Sequence, residues 1–259
     1  MGARRWMWVL IVVAIASVNR ATAQDAAAQP PAAEDPAHPA WHGSLSLSLA
    51  LANGIQSQRS LQLDGDLLRP FSDGGRFVAS ASRQYQNVTF PSAALLSDRT
   101  NIAVGADQNL TKDTVVIVRS LYLKDSQLLV NSRFEELFGY GLHLYDKTKK
   151  RIDFQLVPGL SIYNEDLSYA DNSGWKSAIG FYEKFSGKFD KVWSVSNSFR
   201  FRNDFSDSNR SVESSASLEG MITKSLGLQI GYQYNYESIV PDGFPSFLSM
   251  LSAGLKFQF

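Results

Sequence analysis

The stretch LGLQIGYQYNYE, Leu226 to Glu237, alternates without a break. Leu226, Leu228, Ile230, Tyr232, Tyr234 and Tyr236 fall on one side, and Gly227, Gln229, Gly231, Gln233, Asn235 and Glu237 on the other. Successive side chains of an extended chain point to opposite faces, so this is a strand with one apolar and one polar face. The pattern recurs in Trp41 to Leu51, where Leu45, Leu47, Leu49 and Leu51 oppose Ser44, Ser46, Ser48 and Ala50. It recurs in Arg151 to Ile162 and in the last residues, where Leu251, Ala253, Leu255, Phe257 and Phe259 oppose Ser252, Gly254, Lys256 and Gln258.

Working outward from Leu226, twelve such segments begin near residues 41, 59, 75, 100, 113, 132, 150, 174, 192, 211, 226 and 246. An even number suits a closed up-and-down barrel with both termini at one end. Every second connection is tight and polar, as in Ser72-Asp73-Gly74-Gly75, Lys112-Asp113 and Thr223-Lys224-Ser225. The alternate ones, Pro91 to Thr100, Asn164 to Gly174, Asp204 to Arg210 and Ser238 to Pro245, are mostly longer. Short turns on one side and longer loops on the other are what a bacterial membrane barrel has.

The charges decide which face points outward. Asp64, Asp66, Asp107, Glu135, Asp153, Glu165, Lys176, Lys184, Arg200, Arg202, Glu213, Glu219, Glu237 and Lys256 share the polar face. An apolar face contributed by every strand and turned inward would line a cavity larger than one small ligand fills. Turned outward it meets lipid. The aromatics agree, because Trp41, Trp193, Phe257 and Phe259 fall at one rim and Trp175, Phe205 and Tyr236 at the other. The expected fold is therefore an all-β, transmembrane, antiparallel up-and-down β-barrel of about 12 strands over residues 41–259. Arg83 and Glu183 fall on the lipid face, which predicts a bulge or a boundary displaced by one residue. Val115 to Leu123 is too uniformly apolar to phase.

The N-terminus carries Arg4 and Arg5, an apolar run from Trp6 to Val18, and Ala21-Thr22-Ala23 before Gln24. That order predicts a cleaved signal peptide at 1–23. Residues 24–40 are rich in Ala and Pro, with too little apolar mass for a core, and are expected to form a disordered periplasmic tether. Removing Arg4, Arg5 and Arg20 leaves 22 basic against 25 acidic residues, so nothing in the bulk charge argues for nucleic acid. The absence of cysteine excludes disulfides, thiolate metal sites, a cysteine nucleophile and a lipoprotein anchor.

The residues Trp41-His42-Gly43-Ser44-Leu45-Ser46-Leu47, then Asn53-Gly54 and Arg59-Ser60-Leu61-Gln62-Leu63, resemble the start of the DUF481 outer-membrane proteins. Phe138-Gly139-Tyr140-Gly141-Leu142 with Tyr145-Asp146 is similar to that family's central glycine-rich strand. The family has Gly-Asn where this chain has Asn53-Gly54. The resemblance covers about Trp41 to Phe259 and extends to YdiY-like, salt-induced outer-membrane proteins. It implies location and shape, and through the family's name alone a role in salt or osmotic stress. The terminal strand is similar to the insertion signal of outer-membrane barrels, which assigns that role to Phe257 and Phe259 and makes the barrel assembly machinery a partner beside the membrane lipid.

Catalysis finds little support. A hydrolase needs a nucleophile, a base and an orienting group together, and the histidines are His38, His42 and His143 alone. The last two face the lumen near one mouth, and a metal site from them with Asp146 has no ligand spacing to recommend it. No cofactor motif is present. Asp64 and Asp66 sit about 7 Å apart along one strand, with Arg200 and Arg202 as candidate partners in the same lumen. The candidate lumen charges are thus Asp64, Asp66, Asp107, Glu135, Asp153, Lys184, Arg200, Arg202 and Glu219. Acids outnumber bases among the inward positions assigned, which predicts a narrow, weakly cation-preferring channel for small ions or solutes, or a plugged barrel of the envelope. The alternatives are an outer-membrane enzyme acting on lipid or peptide, and a binding protein using the loops around Tyr169, Trp175, Ile239, Val240 and Phe244.

Overall fold

A computed structural model describes residues 40–52, 57–71, 74–89, 94–126, 128–145, 152–168, 174–190, 192–240 and 246–259. The expected leader and tether up to residue 39, and Asp146, Tyr169 and Phe244, lie outside them. Twelve strands follow in order: β1 (His42–Ala52), β2 (Ser57–Pro70), β3 (Gly75–Thr89), β4 (Ala94–Asn109), β5 (Thr114–Asp125), β6 (Val130–Tyr145), β7 (Ile152–Leu167), β8 (Trp175–Lys188), β9 (Trp193–Asp204), β10 (Arg210–Met221), β11 (Leu226–Glu237) and β12 (Phe247–Gln258). Each pairs antiparallel with its sequence neighbours, and β1 pairs with β12 to close the barrel. At that seam the backbone of Gly43 and Phe259 exchange two hydrogen bonds, 2.9 and 3.0 Å long. Closure leaves no strand edge unpaired, the condition for carrying backbone polar groups through hydrocarbon.

The apolar face is on the outside. Leu45, Leu47, Leu49, Leu61, Leu63, Phe138, Leu160, Ile230, Leu251 and Leu255 are all exposed, while Ser46, Ser48, Gln62, Gln84 and Gln155 on the alternate positions are buried. Water does not tolerate so continuous an apolar belt, and lipid requires one. The chain is built to span a membrane. Trp41 packs edge-on against Phe77 at the rim that carries both ends of the barrel, here the terminal rim, with their ring centroids 5.8 Å apart. Trp175 and Phe205 stand exposed at the far rim.

Two expectations change. Pro91 to Thr100 is not a loop, because β4 already begins at Ala94, and β7 likewise runs on through Asn164 to Leu167. The far-rim connections are consequently short too, apart from 168–174 and 238–246. The second change concerns Arg83 and Glu183. Neither a bulge nor a shifted boundary moves them inward, since the registers of β2–β3, β3–β4, β7–β8 and β8–β9 run without interruption. Both side chains lie on the lipid face, Arg83 with a counter-charge and Glu183 with a polar neighbour only. Arg83 meets Asp98 at 3.2 Å and lies over the Tyr85 ring at 4.6 Å, and Glu183 takes a hydrogen bond from Asn197. Partnered charge costs far less in hydrocarbon than bare charge. Register shifts do occur, between Leu123 and Asp125 and between Val130 and Ser132, near the far rim.

The structure also phases β5. Val115 and Ile117 point into the barrel and pack with Leu137 and Val157, flanked by Leu121 and Tyr182. Val116 and Val118 take the alternate positions and face lipid. The uniform apolarity of this strand has a physical cause: one stretch of the inner wall is a small dry core. Gly139 makes room for it, since a Cβ there would come within 2.5 Å of Val157 Cγ1.

Candidate functional site: the lumen

Among the described residues, the barrel interior is where polar and charged side chains gather. Asp64, Asp66, Asp107, Glu135, Asp153, Lys184, Arg200, Arg202 and Glu219 all occupy inward register positions. They do not form one site. They divide into two layers with the Val115–Ile117–Leu137–Val157 core beside them.

The layer nearer the terminal rim is centred on Asp107. Arg76 donates to Asp107 at 2.7 Å and to Asp153 at 2.9 Å, Arg119 also binds Asp107, and Gln155 adds a donor at 3.3 Å. His143 joins Asp153 at 2.9 Å through Nε2 and Asn109 at 2.7 Å through Nδ1. Gly105 opens space for the Arg119 stem, because a Cβ there would meet Arg119 Cδ at 2.8 Å. Lys184 projects into the same layer under the fields of Asp107, Asp153 and Asp66. On the other wall Lys256 holds Glu219 at 2.5 Å, while Asp64 accepts from Gln62 and Ser46 and Asp66 from Ser44.

The layer nearer the far rim bridges the barrel. Arg133 on β6 donates to Glu165 at 2.8 Å and reaches Glu237 on β11 at 3.0 Å. Arg200 and Arg202 converge on Glu135, and Arg202 continues to Asp204 at 3.2 Å. The Tyr163 hydroxyl donates to Asp204 at 2.5 Å, and Arg202 lies over the Tyr163 ring at 4.4 Å. Arg99 on β4 pairs with Asp125 at 3.3 Å and approaches Glu213 on β10, across the full width of the ring, at 3.7 Å. Glu213 also faces Arg200 at 3.4 Å. Buried charge persists only when paired and hydrogen-bonded. This layer is a crossing lattice rather than a set of free ligands.

Arg76, Arg99, Arg119 and Arg133 escaped the sequence reading. They lie on β3 to β6, where small residues and an apolar β5 hide the phase, and Arg99 precedes the expected start of β4. With them included, nearly every inward acid has a basic partner and the acid excess narrows. Few of these acids are open to solvent. Asp66 is exposed and Glu213 keeps a third of its side chain open, while Asp107, Glu135, Glu165 and Asp204 are buried.

Solvent reaches the interior unevenly. The wall of β6 and β7 is closed, with Glu135 at 3%, Gln155 at 0% and Ser161 at 3% exposure. Along β9 to β12 the inward Ser215, Ser217, Gln229, Gly231, Gln233 and Ser252 are half-buried, and Ser80 on β3 is exposed. This openness comes from the lumen side, since Ser46 and Ser48, inward on β1 beneath the same kind of leucine exterior, are 5% and 4% exposed. Hydroxyl and amide groups therefore line the side of the lumen that solvent reaches, an eccentric crevice beside the ion-pair layers.

Among the described residues His143 joins Asp153, and its other ring nitrogen meets the Asn109 amide. Among the described residues no group of three His, Cys, Asp or Glu is placed to hold a metal ion. Phe257 and Phe259 face outward at the terminal rim with ring centroids 6.3 Å apart.

The family described as "Protein of unknown function, DUF481" matches residues 45–259. No curated protein matches. Among solved structures, the NanC porin is 11% identical, covering 85% of this chain and 99% of its own, with a TM-score of 0.49. An outer membrane channel from Pseudomonas putida F1 is 9% identical over 90% of this chain and 100% of its own, with a TM-score of 0.49. The KdgM porin, in complex with disordered oligogalacturonate, is 10% identical over 83% and 99%, with a TM-score of 0.47.

Proposed function

The chain belongs to the DUF481 family, proteins of unknown function, and from that premise we propose that it is an outer-membrane barrel acting as a restricted, non-catalytic channel for small polar solutes. The terminal rim then faces the periplasm, which suits a leader and tether at the N-terminus, and the far rim faces the cell exterior. The observation that carries the reading is the uneven lumen: one wall sealed, the other half-open along β9 to β12. Where that crevice meets the crossing lattice stands Glu213, whose contacts of 3.4 and 3.7 Å are among the longest in the layer. A partly exposed pair at such distances contributes little and parts readily. Glu213 is the natural narrowing of the path.

Single-channel recording in a planar bilayer, with heat-modifiable gel mobility as the folding control, tests this. The refolded protein is expected to give small, reproducible steps, and Glu213→Gln larger ones. If both proteins are folded and silent, the reading fails, and the lattice is a permanent plug in a barrel that serves envelope integrity.

Phe257 and Phe259 take the role of assembly signal in the same reading. Deleting Phe259 also removes both seam hydrogen bonds to Gly43. The truncated chain is expected to accumulate unfolded in the periplasm, read as loss of the heat-modifiable form in membranes. Normal membrane levels of the folded form would remove the role.

A further inference from the structure

We infer that the crevice favours uncharged polyhydroxylated solutes, small saccharides, over anions; this rests on the channel reading above. The inner surface that solvent reaches is made of hydroxyl and amide groups, with Ser80, Ser215, Ser217, Gln233 and Ser252 as its main side chains. Each has donors and acceptors that a sugar hydroxyl can use in either sense. Two of them are already in ladders, Ser198 with Ser215 at 2.7 Å and Ser196 with Ser217 at 2.8 Å, in which either oxygen can be the donor. A ladder of this kind exchanges partners with a passing hydroxyl at little cost, because one hydroxyl replaces another.

The charges act differently. The arginines that would attract an anion are consumed: Arg133 and Arg202 are 5% and 2% exposed and bound to carboxylates. Of the charges left open to the crevice, Asp66 and Glu213 are acids. Lys184, inward and without an ion pair among the described residues, lies under the fields of Asp107, Asp153 and Asp66, so an anion approaching this surface meets mainly like charge, a cost that a neutral or cationic sugar does not meet.

Liposome swelling with D-glucose, D-glucosamine and D-glucuronate at matched osmolarity isolates the charge, since the three share a ring and a size. Proteoliposomes are expected to swell with glucose and glucosamine, and with glucuronate at about a tenth of the glucose rate or less. Replacing the accessible acids, Asp66→Asn with Glu213→Gln, should raise the glucuronate rate toward that of glucose. Ser217→Trp, which fills the crevice, should stop all three. Equal rates for the three sugars, or glucuronate fastest, overturn the inference and leave the channel standing. So does absence of swelling while ion steps persist in the bilayer, which would mean a path too narrow for any sugar. Absence of both swelling and steps overturns the channel reading itself, and the inference with it.

Discussion

Arg133→Ala should lower the stability of the folded barrel by about 3–5 kcal/mol, the range for stripping one partner from a buried ion pair. Arg133 is 5% exposed and serves two carboxylates at once, Glu165 at 2.8 Å and Glu237 at 3.0 Å. Alanine leaves two buried acids without the cation they share. Lys176 still reaches Glu165 at 2.9 Å and Asn209 reaches Glu237 at 3.2 Å, so the loss falls short of two bare charges. Urea titration followed by gel mobility gives the number. Adding Glu237→Gln to Arg133→Ala should recover part of the loss, because contacting residues couple. A loss below about 1 kcal/mol would show that the lattice is hydrated and does not hold the walls together.

Leu47→Arg and Ser46→Arg should differ sharply although the residues are adjacent. Leu47 is the middle residue of β1 and half exposed on the outer face. Arginine there, close to mid-height of the apolar belt, should cost about 2–4 kcal/mol in a bilayer. Ser46 points into the lumen, where its hydroxyl donates to Asp64 at 3.1 Å. An arginine at that position finds a carboxylate, and its cost is steric rather than electrostatic. Folding yield into phospholipid vesicles against urea separates the two. Were Ser46→Arg the more damaging of the pair in that assay, the assignment of the apolar face to lipid would be in error.

The period of two in Leu226 to Glu237 made the fold readable, because a membrane barrel separates its faces more completely than a soluble sheet does. The reading weakened where the lumen itself turns apolar. Val115 and Ile117 sit inward among valines that sit outward, so the alternation that phases a strand vanishes, and Arg119 and Arg133 beside them went unassigned. Arg83 is the reverse case. Its charge spoke against a lipid-facing position, but its partner Asp98 lies on the next strand at a distance in sequence that no local pattern encodes. The candidate lumen charges were legible one at a time, and their partners were not. Arg133 meets Glu237 across 104 residues of chain, a pairing that barrel curvature dictates and strand patterns do not.

The seam between β1 and β12 bears on how the molecule comes to exist. Eleven of the strand pairs join neighbours in sequence, whereas this one joins Gly43 to Phe259. Each short hairpin closes a loop of a few residues, and the seam closes one of more than two hundred, at an extra entropic cost of roughly 3–4 kcal/mol. Ring closure must therefore wait until β12 has been made and the other hairpins have shortened the effective distance between its ends. Until then the growing sheet has two open edges and one apolar surface in water, the combination most prone to aggregate. The interval before the final zip, rather than the finished ring, is when such a chain depends most on being held apart from its copies.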